Sequence, residues 1–405
     1  MSGELFFILL IPFAGAGLAL MNSGLCRARN AAHSALAALC VSGTAALAYF
    51  VIGFAVEGHP GGASHAFTLA GQSWNWIAAG PLFLRGVDFD ASPVAIYILF
   101  GVFAAGVTSV IPLSSGAGRW RLGAACASAA FLAGLTFPLF GHWSWAGGWL
   151  AQLGFVDNGG AGAIHATGGL TALAVTWILG PRRGKYTPEG MPTAIPGHNI
   201  VMVLLGCWLA WFGWLGLNCG GAALFALAGP NRQALAALNT TLSAAAGALA
   251  AAAITRARFG KPDASLCANG WVAGLVASSA GCATLPPAAA VLAGLVGGAL
   301  AIYSIEWLEL HLRVDDPGGA ISVHAVGGIW SLMAAGLFGA NWLAQLAGAA
   351  TLIGCVLPIA YVLNSVLNRF YRLRVAKEAE RQGLDLHELG AGAYPDFASH
   401  TEDSW

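Results

Sequence analysis

Two histidines with matching neighbours are the residues best suited to chemistry in this chain. Residues 157–170 (DNGGAGAIHATGGL) and 316–329 (DPGGAISVHAVGGI) agree at eight of fourteen positions, and each histidine follows an aspartate by eight residues. A neutral imidazole offers one hydrogen-bond donor and one acceptor, and it titrates near neutral pH. His165 and His324 are therefore candidates for holding a small polar substrate or relaying a proton.

Other interpretations of the two histidines remain open. A histidine in an apolar helix can be a packed residue that bonds a backbone carbonyl, and two histidines can hold one haem iron. An intramembrane ionisable residue is nevertheless a functional candidate by default. The equivalent positions of His165 and His324 in two matching segments favour a shared function over packing.

The aspartates that open the two segments have a structural interpretation. Asp157 precedes a Gly-Gly pair and an apolar run, which suits a helix N-cap that accepts backbone N–H groups. Asp316 is followed by Pro317, a residue common at the first position of a helix. We expect both carboxylates to support the helix start, with direct substrate contact as the alternative.

The composition indicates a membrane protein. The chain has 405 residues, of which 57% are hydrophobic and 9% charged, against about 25% charged residues in soluble domains. Its net charge of zero gives no indication of a nucleic-acid partner. The eight cysteines are scattered without a CxxC pair, so neither a disulfide framework nor a zinc site is expected, and no cofactor is predicted. The first apolar stretch is interpreted as a retained helix rather than a signal peptide.

Hydrophobic runs predict an all-α polytopic membrane protein with eleven transmembrane helices. A membrane helix needs about 20 mostly apolar residues. The runs that meet this need are 4–25, 32–56, 92–113, 120–141, 162–180, 197–221, 231–256, 264–281, 285–308, 318–340 and 343–368. The longest connection, roughly 57–91, is rich in glycine, proline and aromatic residues.

The basic residues predict the orientation. Sixteen of the eighteen Lys and Arg lie in odd-numbered loops or in the tail, and only Arg85 and Arg232 lie on the opposite side. Because cytoplasmic loops carry the excess of Lys and Arg, the N-terminus is expected outside and the C-terminus in the cytoplasm of a multi-pass cell-membrane protein. The tail, 371–405, is too short for a catalytic domain, so an enzyme is not expected.

The two matching segments also predict an internal repeat. The copies open helices 5 and 10, which are five helices apart, and an odd spacing inverts the direction of the second copy. Helices 1–5 (about 4–180) would then form one repeat and helices 6–10 (about 197–340) an inverted second one, with helix 11 (about 343–368) outside it. Such repeats place equivalent residues near the bilayer midplane, where His165 and His324 would meet.

Seven motifs in order give a resemblance to a known family. They are Gly24-Leu-Cys-Arg-Ala-Arg-Asn30, Trp145-Ala-Gly-Gly-Trp149-Leu, the segment from Asp157 to His165, Trp211-Phe-Gly-Trp-Leu-Gly-Leu-Asn218, Asn269-Gly-Trp-Val-Ala-Gly-Leu-Val276, Asp315-Asp-Pro…His324, and Gly383-Leu-Asp-Leu386…Ala393-Tyr394. From about residue 10 to 395 the chain resembles ammonium transporters of the Amt, methylammonium permease and Rh family.

The resemblance implies a homotrimer with one pore in each subunit, and a PII-type cytoplasmic regulatory protein as a candidate partner. It implies an outer aromatic vestibule in which Trp145 holds ammonium against its ring face, and a gate that includes Phe103. It further implies that His165 and His324 are hydrogen-bonded twin imidazoles in an apolar channel, with Asp157 in support.

The sequence departs from the family pattern near this vestibule. The outer gate position, usually Phe, is Leu217, and the vestibule Ser is Gly221. Phe100 and Phe103 are three residues apart rather than four, so their alignment is open. Each missing contact is worth about tenfold in affinity, so Leu217→Phe with Gly221→Ser is expected to tighten binding.

We expect ammonium transport, in which the cation is recruited outside, deprotonated, and conducted as ammonia past the two histidines. A proton relayed separately would make the transport electrogenic. An ammonium sensor without significant conduction is the alternative from another class. A channel for another small gas or amine is a third interpretation.

Overall fold

The computed structural model describes residues 3–69, 71–90 and 94–394. Eleven long helices occur there, one at each predicted position. They are α1 (Gly3–Leu25), α2 (Ala28–Glu57), α3 (Val94–Gly116), α4 (Leu122–Gln152), α5 (Ala161–Leu179), α6 (Ile200–Phe225), α7 (Pro230–Phe259), α8 (Ala264–Ser279), α9 (Pro287–His311), α10 (Ile321–Leu337) and α11 (Trp342–Phe370). Positions 92 and 93 of the predicted third helix lie outside the described residues, as do tail residues 395–405.

These helices are those of a multi-pass membrane protein. Among the described residues, nine are long and apolar enough to cross a membrane, whereas α10 is shorter and α8 has only 16 residues. Large apolar side chains stand exposed along the outer helices, including Leu39 at 73% and Leu249 at 68%. Such side chains need lipid around them, because a soluble protein rarely exposes apolar patches of this extent.

Small residues bring the helices close together. A Cβ added to Gly213 of α6 would lie 1.9 Å from the backbone nitrogen of Ala14 in α1, and one added to Gly17 would lie 2.3 Å from that of Ala210. Lipid provides no hydrophobic force between helices, so close backbone packing of this kind stabilises the bundle.

The long connection after α2 departs from the all-α expectation, because it contains a β-hairpin. Strands β1 (Ser64–Leu69) and β2 (Gln72–Ala78) pair antiparallel, with a bulge after His65. The hairpin lies against the end of α4, where the indole of Trp143 donates to the Trp76 carbonyl oxygen at 2.8 Å. The alternation of Trp74 and Trp76 along β2 is the period-two signal that could have predicted this strand.

The tail docks onto the start of α2 and onto the loop that follows α5. It forms a short helix, α12 (Lys377–Gln382), and a turn in which the Asp385 carboxylate accepts from the backbone N–H of His33 at 2.7 Å. The Glu380 carboxylate accepts from the backbone N–H of Arg183 at 2.8 Å. The start of α2, the loop after α5 and the tail therefore share one face of the molecule, as the distribution of Lys and Arg predicts.

A buried ion-pair network joins three loops on the same face. Arg182 donates through Nε and Nη2 to the Asp315 carboxylate, both at 2.8 Å, and the Arg119 guanidinium donates to the Asp315 carbonyl oxygen at 2.8 Å. Burial alone would raise the pKa of Asp315, but the Arg182 hydrogen bonds and the charges of Arg119 and Arg182 lower it to about 2. Asp315 is therefore an anion that holds together the loops after α3, α5 and α9.

Candidate functional site: two histidines and an aromatic cluster

The two matching segments fold in the same way. Each helix that carries a histidine begins with a π-helical turn, Ala161–Ala166 in α5 and Ile321–Val326 in α10. The turn follows a glycine with left-handed backbone, Gly160 at φ +81° and Gly319 at φ +75°, where a Cβ would be strained. π-Helical turns are frequent at functional sites, and here each contains the histidine.

Carboxylates cap both turns. Asp157 Oδ2 accepts from the backbone N–H groups of Gly162 at 3.0 Å and Ala163 at 2.9 Å. Asp316 Oδ2 accepts from the N–H of Ile321 at 2.7 Å, and its Oδ1 accepts from the Ser115 hydroxyl at 2.7 Å. The two aspartates thereby satisfy N–H groups that have no partner within their own helix.

A reciprocal glycine contact brings the two histidine helices together. A Cβ on Gly169 of α5 would lie 2.2 Å from the backbone nitrogen of Ala325, the residue after His324. A Cβ on Gly328 of α10 would lie 2.9 Å from the nitrogen of Ala166, the residue after His165. Any side chain at these two glycines would push the helices, and hence the histidines, apart.

The imidazoles of His165 and His324 are neighbours in the core. Their ring centroids are 5.4 Å apart with planes 35° apart, and the residues are 0% and 3% exposed. Trp214 of α6 stacks on His165 at 4.8 Å and 7°. Within the described residues, neither ring nitrogen of His165 nor Nδ1 of His324 has a hydrogen-bond partner.

The direct hydrogen bond between imidazoles that the resemblance implied is therefore not formed in this arrangement. The stack on Trp214 fixes the plane of His165, and that plane is tilted from the plane of His324. Both imidazoles instead keep unpaired nitrogens that can meet a small donor or acceptor.

A small cavity lies beside His324 on the side where α10 begins. Its volume is about 20 Å³, which is enough for one molecule the size of water. Its walls combine apolar side chains with four polar ones, Asn22, Ser114, Asn269 and His324. Leu25 lines both this cavity and an open one of about 780 Å³ on the face that carries the tail. One side chain thus stands at the junction between the core and that face.

On the other side of the histidines lies an aromatic cluster formed by Phe100, Trp145 and Phe225. The rings of Trp145 and Phe225 are stacked, with centroids 4.5 Å apart and planes 3° apart. Phe100 stands almost perpendicular to both, at 5.7 Å from Trp145 and 5.2 Å from Phe225. The Trp145 indole donates to the Asp157 carbonyl oxygen at 2.7 Å, which links the cluster to the start of α5.

Three residues predicted for the vestibule and gate are not members of this aromatic cluster. Phe103 lines an open apolar groove together with residues of α1 and α2, so Phe100, not Phe103, faces Trp145. Leu217 is fully buried in the core. A Cβ on Gly221 would lie 2.0 Å from the carbonyl oxygen of Asn158. Gly221 is therefore a packing position with no room for the serine hydroxyl that the family pattern places there.

Sequence reasoning missed two members of the site. Trp214 belongs to the motif that gave the resemblance, but no role was assigned to it. Phe225 ends α6 outside any motif, and an apolar ring at the end of a membrane helix gives no signal of its own.

Within the described residues no group of three His, Cys, Asp or Glu side chains could hold a metal ion.

Comparison with known proteins identifies relatives over almost the whole chain. A model described as Ammonium Transporter Family matches residues 4–394. The ammonium transporter Amt2 of Archaeoglobus fulgidus is 36% identical, covering 96% of this chain and 86% of its own. The ammonium transporter of Bacillus subtilis is 30% identical, covering 96% of this chain and 97% of its own.

Solved structures share the fold. A sensor Amt protein superimposes with a TM-score of 0.87 at 27% identity, covering 95% of this chain and 96% of its own. Candida albicans Mep2 gives a TM-score of 0.80 at 24% identity, covering all of this chain and 93% of its own. With the family model spanning residues 4–394 and relatives above 30% identity, the chain belongs to the ammonium transporter family.

Proposed function

We propose that the protein transports ammonium by recruiting the cation at Trp145, releasing a proton there, and conducting ammonia past His165 and His324. The observation that carries this proposal is the pair of buried imidazoles 5.4 Å apart, next to a cavity of about 20 Å³. A cavity of that size can hold one small molecule but not an ion with its hydration shell.

Selectivity follows from the cost of a charge in an apolar passage. Potassium carries the same charge as ammonium and cannot lose it, so it would enter the core as an ion. Ammonium can release a proton, and desolvation favours the neutral form of a titratable cation. A passage that admits only the neutral form would therefore reject alkali ions.

The two imidazoles suit a neutral substrate. A neutral histidine has one N–H donor and one nitrogen acceptor, and both nitrogens of His165 are unpaired within the described residues. Ammonia can donate to the acceptor and accept from the donor. The same two nitrogens can relay a proton from one side of the membrane to the other, separately from ammonia. Transport would then be electrogenic.

We further propose the arrangement of the protein in the membrane. The face that carries the tail, Arg119 and Arg182 is cytoplasmic, since it holds nearly all basic residues. The N-terminus and the β-hairpin are then outside, in a cell membrane. The chain divides into an inverted pair of repeats, about 4–180 and 197–340, plus α11 and the tail. It forms a homotrimer, and its cytoplasmic face is the surface available to a PII-type regulatory protein.

The test is ammonium flux through proteoliposomes carrying His165→Ala or His324→Ala. Each substitution leaves a cavity that water can fill, so selective, proton-coupled current should be lost while the purified protein keeps its elution volume in size-exclusion chromatography. His311→Ala, at an exposed helix end, serves as the control and should conduct normally. If both core variants keep the wild-type current and selectivity, the histidines are packing residues and the proposal is wrong.

Sensing is the second candidate function, because the sensor Amt protein superimposes on 95% of this chain. A sensor binds ammonium without needing to conduct it. Saturable ammonium binding by the wild-type protein, together with a current no larger than that of empty liposomes, would favour sensing over transport.

A further inference from the structure

The stacked pair Trp145 and Phe225 leaves no space for a cation between the rings. Their planes are 3° apart with centroids 4.5 Å apart, and ring carbons in contact are already about 3.5–4.0 Å apart. A cation bound to an aromatic ring lies over its face, within about 6 Å of the centroid. Phe225 therefore occupies the position over Trp145 that a cation would need.

The rest of Trp145 is also covered. Phe100 and Phe137 stand nearly perpendicular to it, with centroids 5.7 and 6.2 Å away and interplanar angles of 82° and 71°. Trp145 is only 6% exposed. A cation can thus reach this indole only after one of the covering rings moves.

Phe225 is the covering ring best placed to move. Phe100 and Phe137 are 1% and 0% exposed within their helices, whereas Phe225 is half-buried and is the last residue of α6. Two residues later, Leu227 has a left-handed backbone at φ +48° and is 82% exposed. A bulky residue in this conformation is strained, so the chain just after Phe225 is not held in a relaxed helical path.

We propose that Phe225 is a displaceable lid that competes with ammonium for the face of Trp145 and so sets the substrate affinity. This inference rests on the proposed function in taking ammonium as the ligand. With the lid closed, the Trp145 face is stacked and empty of substrate. With the lid swung outward, the face is open to a cation, and part of the binding free energy is spent in breaking the stack.

The lid gives a different explanation for the effect of Leu217, which departs from the family pattern, on ammonium affinity. The missing ring at Leu217 does not leave Trp145 bare, since a ring from two turns further along the same helix covers it. The weaker affinity expected from the sequence would then arise from competition by Phe225, and removing that ring should tighten binding rather than weaken it.

The test compares Phe225→Leu and Phe225→Trp with the wild type. Ammonium current in proteoliposomes gives the half-saturation concentration. The ammonium-dependent rise in melting temperature, measured against equal potassium chloride, gives an apparent Kd without transport. Phe225→Leu, which keeps apolar bulk, should lower both values by roughly two- to tenfold, the equivalent of one aromatic stack. Phe225→Trp, which keeps a stack, should leave them unchanged or raise them.

Phe212→Leu is the matched control, because Phe212 lies on the same helix and is 45% exposed toward the outside of the bundle. It should change neither value. An unchanged or higher apparent Kd in Phe225→Leu would overturn the lid, as would failure of the wild type to bind ammonium. If the wild type binds ammonium and Phe225→Leu binds it more tightly while neither conducts, the lid stands and the transport proposal fails.

Discussion

The imidazole of His165 lies parallel to the indole of Trp214, with ring centroids 4.8 Å apart and planes 7° apart. Trp214 is fully buried and comes from α6, whereas His165 comes from α5. An aromatic stack holds one ring plane relative to another without using a hydrogen bond. Trp214 can therefore orient His165 while both imidazole nitrogens, which have no hydrogen-bond partner among the described residues, stay free for substrate.

Replacing Trp214 by leucine should disturb the orientation of His165. We expect Trp214→Leu to lower ammonium current by about two- to tenfold, the value of one aromatic pair. It should also cost about 3 kcal/mol of stability through the cavity it creates. Trp214→Phe should keep most of the current. Trp208→Leu, at an exposed position of the same helix, controls for loss of a tryptophan; equal currents in Trp214→Leu and Trp208→Leu would argue against an orienting role.

Gly221→Ser should destabilise the protein rather than improve its vestibule. The new Cβ would lie 2.0 Å from the Asn158 carbonyl oxygen, and overpacking of this kind typically costs about 1–3 kcal/mol. Thermal unfolding in detergent would show a lower melting temperature. Gly43→Ser is the matched control, since a Cβ there meets nothing within 4 Å. A Gly221→Ser protein of normal stability with tighter ammonium binding would restore the expectation drawn from the sequence.

The Asp315 network should make the protein sensitive to acid. The pKa of Asp315 is lowered to about 2 by its arginine partners, despite burial. A pKa that is lower in the folded than in the unfolded protein means that the ionised carboxylate stabilises the fold. This stabilisation is present above about pH 4 and is lost as pH falls toward 2. The stability difference between wild type and Asp315→Asn should shrink by about 2 kcal/mol over that interval. A difference that stays constant from pH 5 to pH 2 would contradict the assignment.

The sequence was sufficient for the helices and for the pairing of the histidines, because both rest on strong local signals. Charge-free apolar runs leave few alternatives to membrane helices, and the matching segments around His165 and His324 placed both residues in equivalent positions. The positions of Phe103 and Gly221 could not be obtained in this way. Phe100 and Phe103 are three residues apart, almost one turn of α3, so the rotation of the helix decides which of them faces Trp145. Only the backbone of Asn158 shows that Gly221 has no free space.

The stacking partners were beyond sequence reasoning for a different reason. Trp214 and Phe225 meet His165 and Trp145 across helix boundaries, and such contacts depend on how α6 is rotated and how far it extends. The predicted helix ended at residue 221, whereas α6 continues to Phe225. That extra turn carries the ring that covers Trp145.

In the proposed function, the passage conducts ammonia and excludes an ion that cannot release a proton. The most direct measurement records currents from wild-type proteoliposomes on a solid-supported membrane after equal concentration jumps of ammonium and potassium. We predict a saturable current with ammonium and a potassium signal no larger than that of protein-free liposomes. A potassium current equal to the ammonium current would contradict deprotonation as the basis of selectivity.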